Sequence, residues 1–318
     1  MQTAHVGTSN LVVSRLGLGT MSWGVATPVN EAAQMLKAFM DHGGTLIDTA
    51  AAYGGGEVES LIGSFLRHMV HRDELVISTK SGFVLRDGVR VIDTSRDTLL
   101  TDLQASLRRL DTDFVDLWQV HAWGDQPLEE FLEAGDEAVS AGLARHVGVS
   151  NFVGWQVAEA ATWARVAGRS PIISVQAEYS LMARRAELEL LPCASELSLG
   201  FFAWSALGRG VLTGKYAHTV PLGSRGADPR MAWFVEQYFD DESRHIVDAV
   251  VTAAAGLGLT PAQVGLIWVR DAPGVTAALI GPRTLDQLEP LLQIDSTSLP
   301  EAITAALDDV SGGANQGR

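Results

Sequence analysis

Asp48, Tyr53, Lys80 and His121 are side chains of the types that hold and move protons, and three of them occupy equivalent places. Asp48 closes the short apolar run Thr45-Leu46-Ile47, Lys80 follows Leu75-Val76-Ile77-Ser78-Thr79, and His121 follows Phe114 to Val120. A lysine in such a place is a Schiff-base nucleophile, a charge partner, or merely solvated. Asp48 is its natural counter-charge. Tyr53 lies five residues past Asp48 in a glycine-rich loop, where its hydroxyl can turn back toward the pair. A phenol ordinarily titrates near about 10, too high for easy donation and return at neutral pH, and an adjacent ammonium lowers that value. His121 would hydrogen-bond and orient the oxygen that receives the proton. The four form a proton-donating site. No Cys/His cluster has zinc-ligand spacing, so no metal is expected, and the single Cys193 excludes an intramolecular disulfide.

Such a site needs elements that bring distant positions together. Eight short β-like runs alternate with helical stripes: residues 16–20, 45–48, 75–79, 114–120, 146–149, 172–176, 200–203 and 276–280. Leu99, Leu103, Leu107 and Leu110 share one helical face, as do Met35, Leu36, Phe39 and Met40. This alternation predicts an α/β fold, a (β/α)8 TIM barrel in which residues 1–318 form one domain. Residues 2–14 are expected to make an N-terminal β-hairpin across the barrel floor. Residues 214–245 are expected as a long loop on the C-terminal face, and residues 311–318 as a disordered tail. In a barrel, chemistry belongs to the C-terminal strand ends. Polar or amide groups close nearly every run, with Ser150, Asn151, Gln176, Trp204, Ser205 and Gly281 joining the first three. Any one of these has the plain reading that a polar residue must end a strand somewhere; their convergence on one face favours a site.

Composition bounds the partners. The chain has 318 residues, 47% of them apolar, which supports a large core. A formal net charge of −15 argues against nucleic acid and anionic membrane as partners. It also means that a phosphate-bearing ligand requires cations gathered locally. No apolar run approaches the roughly 20 residues of a membrane span, and Met1 to His5 lacks a signal-peptide pattern, so a cytoplasmic protein is expected.

From about Leu16 to Leu292 the chain resembles the aldo-keto reductase superfamily, in its bacterial and potassium-channel-β-subunit-like branch. The resemblance rests on Asp48-Thr49-Ala50-Ala51-Ala52-Tyr53-Gly54 with Glu59 and Gly63, Ser78-Thr79-Lys80, Asp116 to His121, Gly148-Val149-Ser150-Asn151-Phe152, and Trp204 through Tyr216, in family order. It implies an NADPH-dependent reductase of aldehydes or ketones, with Tyr53 as general acid, Lys80 and Asp48 behind it, and His121 orienting the carbonyl. It further implies that Ser150, Asn151 and Gln176 hold the nicotinamide carboxamide and that Trp204 stacks under its ring. Ser205, Leu207, Gly208, Arg209 and Gly210 would wrap the pyrophosphate through backbone N–H groups, aided by Lys215 and Arg225, and Arg209, Lys215, Arg225 and Arg283 would be the local cations. Gly281, Arg283 and Gln287 would grip the adenosine end, with Arg283 on the 2′-phosphate, and Gly19 and Thr20 complete the implied cofactor set. Trp23 and Trp123 are expected over the substrate pocket, beside Tyr53 and His121.

The chain departs from the family pattern at several positions. Gly124 stands where an aspartate often follows, and Pro290-Leu291 replace the Glu-Asn pair that contacts adenine. Two other readings accompany the reductase: a cofactor-binding regulatory subunit with little turnover, and a lyase using Lys80 as a Schiff base.

Overall fold

A computed structural model describes residues 1–217, 219–229 and 231–312. Eight parallel strands close into a barrel: β1 Leu16–Gly19, β2 Leu46–Asp48, β3 Val76–Ser81, β4 Val115–Val120, β5 Ala144–Ser150, β6 Ile172–Glu178, β7 Gly200–Trp204 and β8 Val275–Ile280. Neighbours in sequence are neighbours in the barrel, and β8 closes on β1 through pairs such as Leu279 with Gly17. Each of the eight β-like runs in the sequence supplies one barrel strand.

Apolar stripes explain the outer layer. Helices α1 Val29–Asp41, α2 Glu57–His68, α3 Arg96–Leu110, α4 Leu128–Ser140, α5 Gly154–Val166 and α6 Leu190–Glu196 follow the first six strands. In α3 the buried face is Leu99, Leu103, Leu107 and Leu110; in α1 it is Ala32, Met35, Leu36 and Phe39. The interior is packed separately. Leu46, Leu117, Ile173, Phe202, Ala277 and Leu279 point inward and meet Val6, Leu11 and Val13 from the N-terminal hairpin. That hairpin pairs Thr3–His5 with Val12–Ser14 and seals the floor, with the Ser14 hydroxyl accepting from the Thr45 and Leu46 amides at 3.0 and 3.2 Å. A closed floor leaves the C-terminal face as the open end.

A second hairpin, Phe83–Arg86 with Val89–Ile92, rises directly after β3, outside the elements expected from the sequence. Its signal was present: Asp87-Gly88 between alternating apolar residues is a strong two-residue hairpin turn, and both residues take positive φ, 51° and 78°. The expected long loop is also partly ordered into helices. Residues 225–227 form one turn, α7 spans Ala232–Glu236, and α8 spans Asp241–Leu257 behind the Asp240 cap. Residues 241–245 are therefore helix, because Asp240 accepts the Ser243 amide and starts it. Helices α9 Pro261–Asp271, α10 Leu285–Leu292 and α11 Glu301–Gly312 complete the chain. Ser311 and Gly312, expected in the tail, are helical, with the Ser311 hydroxyl donating to the Leu307 carbonyl at 2.6 Å; residues 313–318 lie outside the described residues.

Gly63 shows how tightly α2 meets α3. A Cβ there would stand 2.2 Å from the Arg109 carbonyl oxygen and 2.9 Å from the Leu110 carbonyl carbon. Backbone cannot yield as a side chain can. We expect Gly63→Ala to lower unfolding stability by about 1–3 kcal/mol, read as a shift in denaturant midpoint.

Candidate active site

The four proton-moving residues meet at the C-terminal mouth. Asp48 ends β2 and Lys80 lies near the end of β3, on adjacent strands, which sets them side by side. The Lys80 ammonium donates to Asp48 Oδ1 at 2.8 Å, Asp48 Oδ2 at 2.7 Å and the Thr49 carbonyl at 2.9 Å. All three of its donors are satisfied, and both side chains are buried. Burial works against the charge on Lys80, but Asp48 and then Tyr53 outweigh it and hold the ammonium above its ordinary value. Schiff-base chemistry needs the neutral amine, so this environment opposes the lyase reading.

Tyr53 opens a glycine-rich turn, Tyr53–Gly56, in which Gly54, Gly55 and Gly56 all take positive φ, folding the chain sharply back over the mouth. Lys80 Nζ lies 5.4 Å from the centroid of the Tyr53 ring. Lys80 pulls the phenol toward ionisation, as the sequence leads one to expect. Burial is the larger effect, however, and together with Asp48 it leaves the phenol raised above its ordinary value. The expectation of a depressed phenol is therefore corrected: the group is protonated at neutral pH.

His121 faces Tyr53, ring centroid to ring centroid 6.0 Å at 77°. Its Nδ1 is buried and has no hydrogen-bond partner among the described residues. Burial first, then the charges of Lys80 and Arg90, hold it well below the ordinary histidine value. It is thus a neutral imidazole that can position an oxygen without competing as proton donor.

The amides at the strand ends serve one another. Gln176 on β6 donates to Asp48 Oδ1 at 2.8 Å. Asn151, in a left-handed conformation at φ 57°, donates to the His121 carbonyl at 2.9 Å and to Ser150 Oγ at 3.2 Å. Its Oδ1 accepts the Trp204 indole N–H at 3.0 Å. Asn151 thereby links β4, β5 and β7 and fixes the Trp204 ring, which stacks on Phe234 at an interplanar angle of 13°. Thr20, after β1, donates its amide and hydroxyl to the Asp48 carbonyl at 3.0 and 2.9 Å. Gly19 passes close to the Ile280 carbonyl, which a Cβ would meet at 3.2 Å.

After β7 the backbone coils tightly. Ser205, Gly208, Arg209 and Gly210 take positive φ, and the Leu207 carbonyl accepts the Gly210 and Leu212 amides. Left-handed Ser205 and Arg209 are costly conformations that collect at functional sites. The Arg209 side chain departs from its expected role. It is buried, donates to both oxygens of Glu178 at 2.8 and 2.6 Å, and lies 3.7 Å from the Phe234 ring centroid. Its charge is neutralised within the protein, where it clamps the 214–245 segment to β6.

Three other cations remain. Lys215, Arg225 and Arg283 act on one another, and among the described residues no carboxylate pairs with them. Burial first, then Arg283, brings Arg225 down to about 10. Glycines let them approach: Lys215 Nζ lies 3.1 Å from where a Cβ of Gly210 would stand, and Arg225 Nη2 lies 3.9 Å from that of Gly281. Arg283 donates through its guanidinium to the Gly223 carbonyl at 2.8 Å and through its amide to Gln287 Oε1 at 2.9 Å. Arg225 and Arg283 are half-buried and Lys215 is exposed, and three mutually repelling cations gathered in one place can accept a polyanion. In the adjoining helix Leu291 is buried in the core, and the Pro290 carbonyl accepts from Gln263 at 2.8 Å.

The aromatic rim differs from expectation on one side. Trp23 is fully enclosed against Phe65, not over the pocket, because residues 20–27 form a tight turn that tucks the indole inward. Trp123 is half-buried at the mouth between Phe152 and Trp155. Where the sequence offered Trp23, the structure offers Phe83, whose centroid lies 4.6 Å from that of His121. Gly124 is explained by space: a Cβ would meet Thr94 Oγ1 at 2.5 Å, leaving no room for an aspartate.

Comparison with known proteins gives one consistent result. A model of the aldo/keto reductase family matches residues 15–311. The chain is 34% identical to an uncharacterized oxidoreductase of Bacillus subtilis, covering 98% of this chain and 97% of that protein. It is 31% identical to an aldo-keto reductase of the same organism, covering 94% and 90%. It is also 33% identical to a probable voltage-gated potassium channel subunit beta of Arabidopsis thaliana, covering 91% and 89%.

Proposed function

The chain belongs to the aldo/keto reductase family and is an oxidoreductase of that kind; from this premise we propose that it reduces an aldehyde or ketone to an alcohol with NADPH. The observation that carries the reading is the buried Asp48–Lys80 pair beside a protonated Tyr53 that faces a neutral His121. When bound, the reduced nicotinamide supplies the hydride that reaches the carbonyl carbon. The chain's own residues do the rest. His121 holds the carbonyl oxygen through the ring nitrogen that faces it, and Tyr53 delivers the proton as charge develops there. Lys80, fixed by Asp48 and Thr49, stabilises the phenolate left behind.

The residues fit the cofactor. Trp204 offers a flat face held in place by Asn151, and the glycine-rich coil after β7 admits the cations closely. Lys215, Arg225 and Arg283 would hold the phosphates, with Arg283 on the 2′-phosphate, since a planar guanidinium suits a phosphate dianion. With Leu291 in the core, contacts on the adenosine side fall to Gln287, Arg283 and Gly281. Asp48, Gln176, Ser150 and Thr20 would support the nicotinamide end from beneath.

Two measurements test this. Loss of NADPH absorbance with a panel of neutral aromatic aldehydes and flat ketones is expected; tight NADPH binding with no turnover of any of them would favour a regulatory subunit instead. Arg283→Ala is expected to raise KM for NADPH roughly tenfold, the worth of one charge-assisted contact, with a smaller change for NADH. An equal change for both nucleotides would place the 2′-phosphate elsewhere.

A further inference from the structure

The hairpin after β3 carries a cation that the mechanism above does not use. Cross-strand pairing sets Leu85 opposite Arg90 and Phe83 opposite Ile92, so these four side chains share one face. Phe83 on that face packs against His121, and the Arg90 guanidinium lies 5.7 Å from the Phe83 ring centroid. The order of contact is therefore Arg90, Phe83, His121, Tyr53, leading inward from the rim. Arg90's charge is felt by both His121 and Tyr53, pulling each down.

Arg90 differs from its neighbour on the same hairpin. Arg86 pairs with Asp93, which is itself tied to Ser95 and Thr98 and anchors the hairpin base. Arg90 makes no ion pair among the described residues. Its surroundings on the shared face are apolar and open, with Leu85 71% and Ile92 38% exposed. In a chain of net charge −15, an arginine one ring removed from His121, with no ion pair among the described residues, makes this rim locally positive.

Resting on the reductase reading, we propose that Arg90 recognises a carboxylate on the carbonyl substrate, whose apolar body lies along Phe83, Leu85 and Ile92. A carboxylate is favoured over a phosphate by charge matching: one cation stands here, whereas three converge on the proposed phosphate site. The guanidinium fork suits a carboxylate through paired N–H donors. Because Arg90 is exposed, its attraction is expected to weaken as salt is added.

The test compares para-carboxybenzaldehyde with its near-isostere para-nitrobenzaldehyde, using the full chain and NADPH. Wild type is expected to favour the carboxylate. In Arg90→Gln, the ratio of kcat/KM values for carboxylate over nitro compound is expected to fall about tenfold, through KM for the carboxylate. Arg90→Lys should recover part of the ratio and Arg90→Glu should reverse it. An unchanged ratio with both substrates losing kcat, or a common shift of both pH profiles, would overturn the proposal and make Arg90 an electrostatic tuner of Tyr53 and His121. Failure of wild type to reduce either aldehyde would instead sink the reductase reading, so the two failures are distinguishable.

Discussion

Tyr53→Phe is expected to lower kcat for aldehyde reduction by about 10²–10⁴-fold, the usual contribution of a positioned general acid. KM for NADPH should change little, because the proposed phosphate cluster of Lys215, Arg225 and Arg283 sits on other elements. The reason lies in protonation. Burial raises the Tyr53 phenol above its ordinary value, more than Lys80 lowers it. The proton is therefore present through neutral and mildly alkaline pH, and reduction should be flat there and fall only as pH rises past the phenol's value. Alcohol oxidation needs the phenolate and should rise over the same range. His121, held well below the ordinary histidine value, contributes no limb near pH 7. A reduction profile that falls through neutral pH would point to a different acid.

Lys80→Met carries the second large effect. It strands the Asp48 carboxylate in a buried place with Gln176 as its remaining side-chain partner. Removing one member of a buried pair typically costs about 3–5 kcal/mol, so a clear drop in the denaturant midpoint should accompany loss of turnover. Lys80→Met with Asp48→Asn should recover much of the stability, since no buried charge is left unpaired, while activity stays lost. The pH dependence follows from the sign of the shift. Lys80 is held above its ordinary value, so its contribution is complete below that value and disappears only as pH rises through the higher folded one. The stability difference between wild type and Lys80→Met should thus be constant across neutral pH. A double variant as unstable as the single one would mean that Lys80 holds the mouth by packing.

Much of this was legible in the sequence, for physical reasons that apply residue by residue. Alternating periodicities gave all eight barrel strands, because a parallel barrel buries each strand on both sides and leaves short apolar runs. Strand-end polarity located Asp48, Lys80 and His121, because register then forces them onto one face. What failed were statements about where a side chain points once neighbours compete for it. Arg209 sits in a stretch expected from the sequence to wrap a pyrophosphate, yet Glu178, Phe234 and Tyr238 reach its side chain first from β6 and the 214–245 segment. Trp23 lies in a loop at the mouth, but a tight turn buries it against Phe65. Tyr53's proton affinity depends on a sum of burial and charge whose sign needs the packing. The Phe83–Ile92 hairpin is legible in Asp87-Gly88 between alternating apolar residues, but its position against His121, which brings in Phe83 and Arg90, needs the packing.

Steady-state kcat can be limited by product release, which would hide a slowed chemical step. Single-turnover oxidation of bound NADPH by excess para-nitrobenzaldehyde, followed in wild type and Tyr53→Phe, isolates that step. A rapid NADPH-consuming phase is expected in wild type, slowing by at least about 10²-fold in the variant. Equal single-turnover rates in the two proteins would contradict the assignment of Tyr53 as the proton donor.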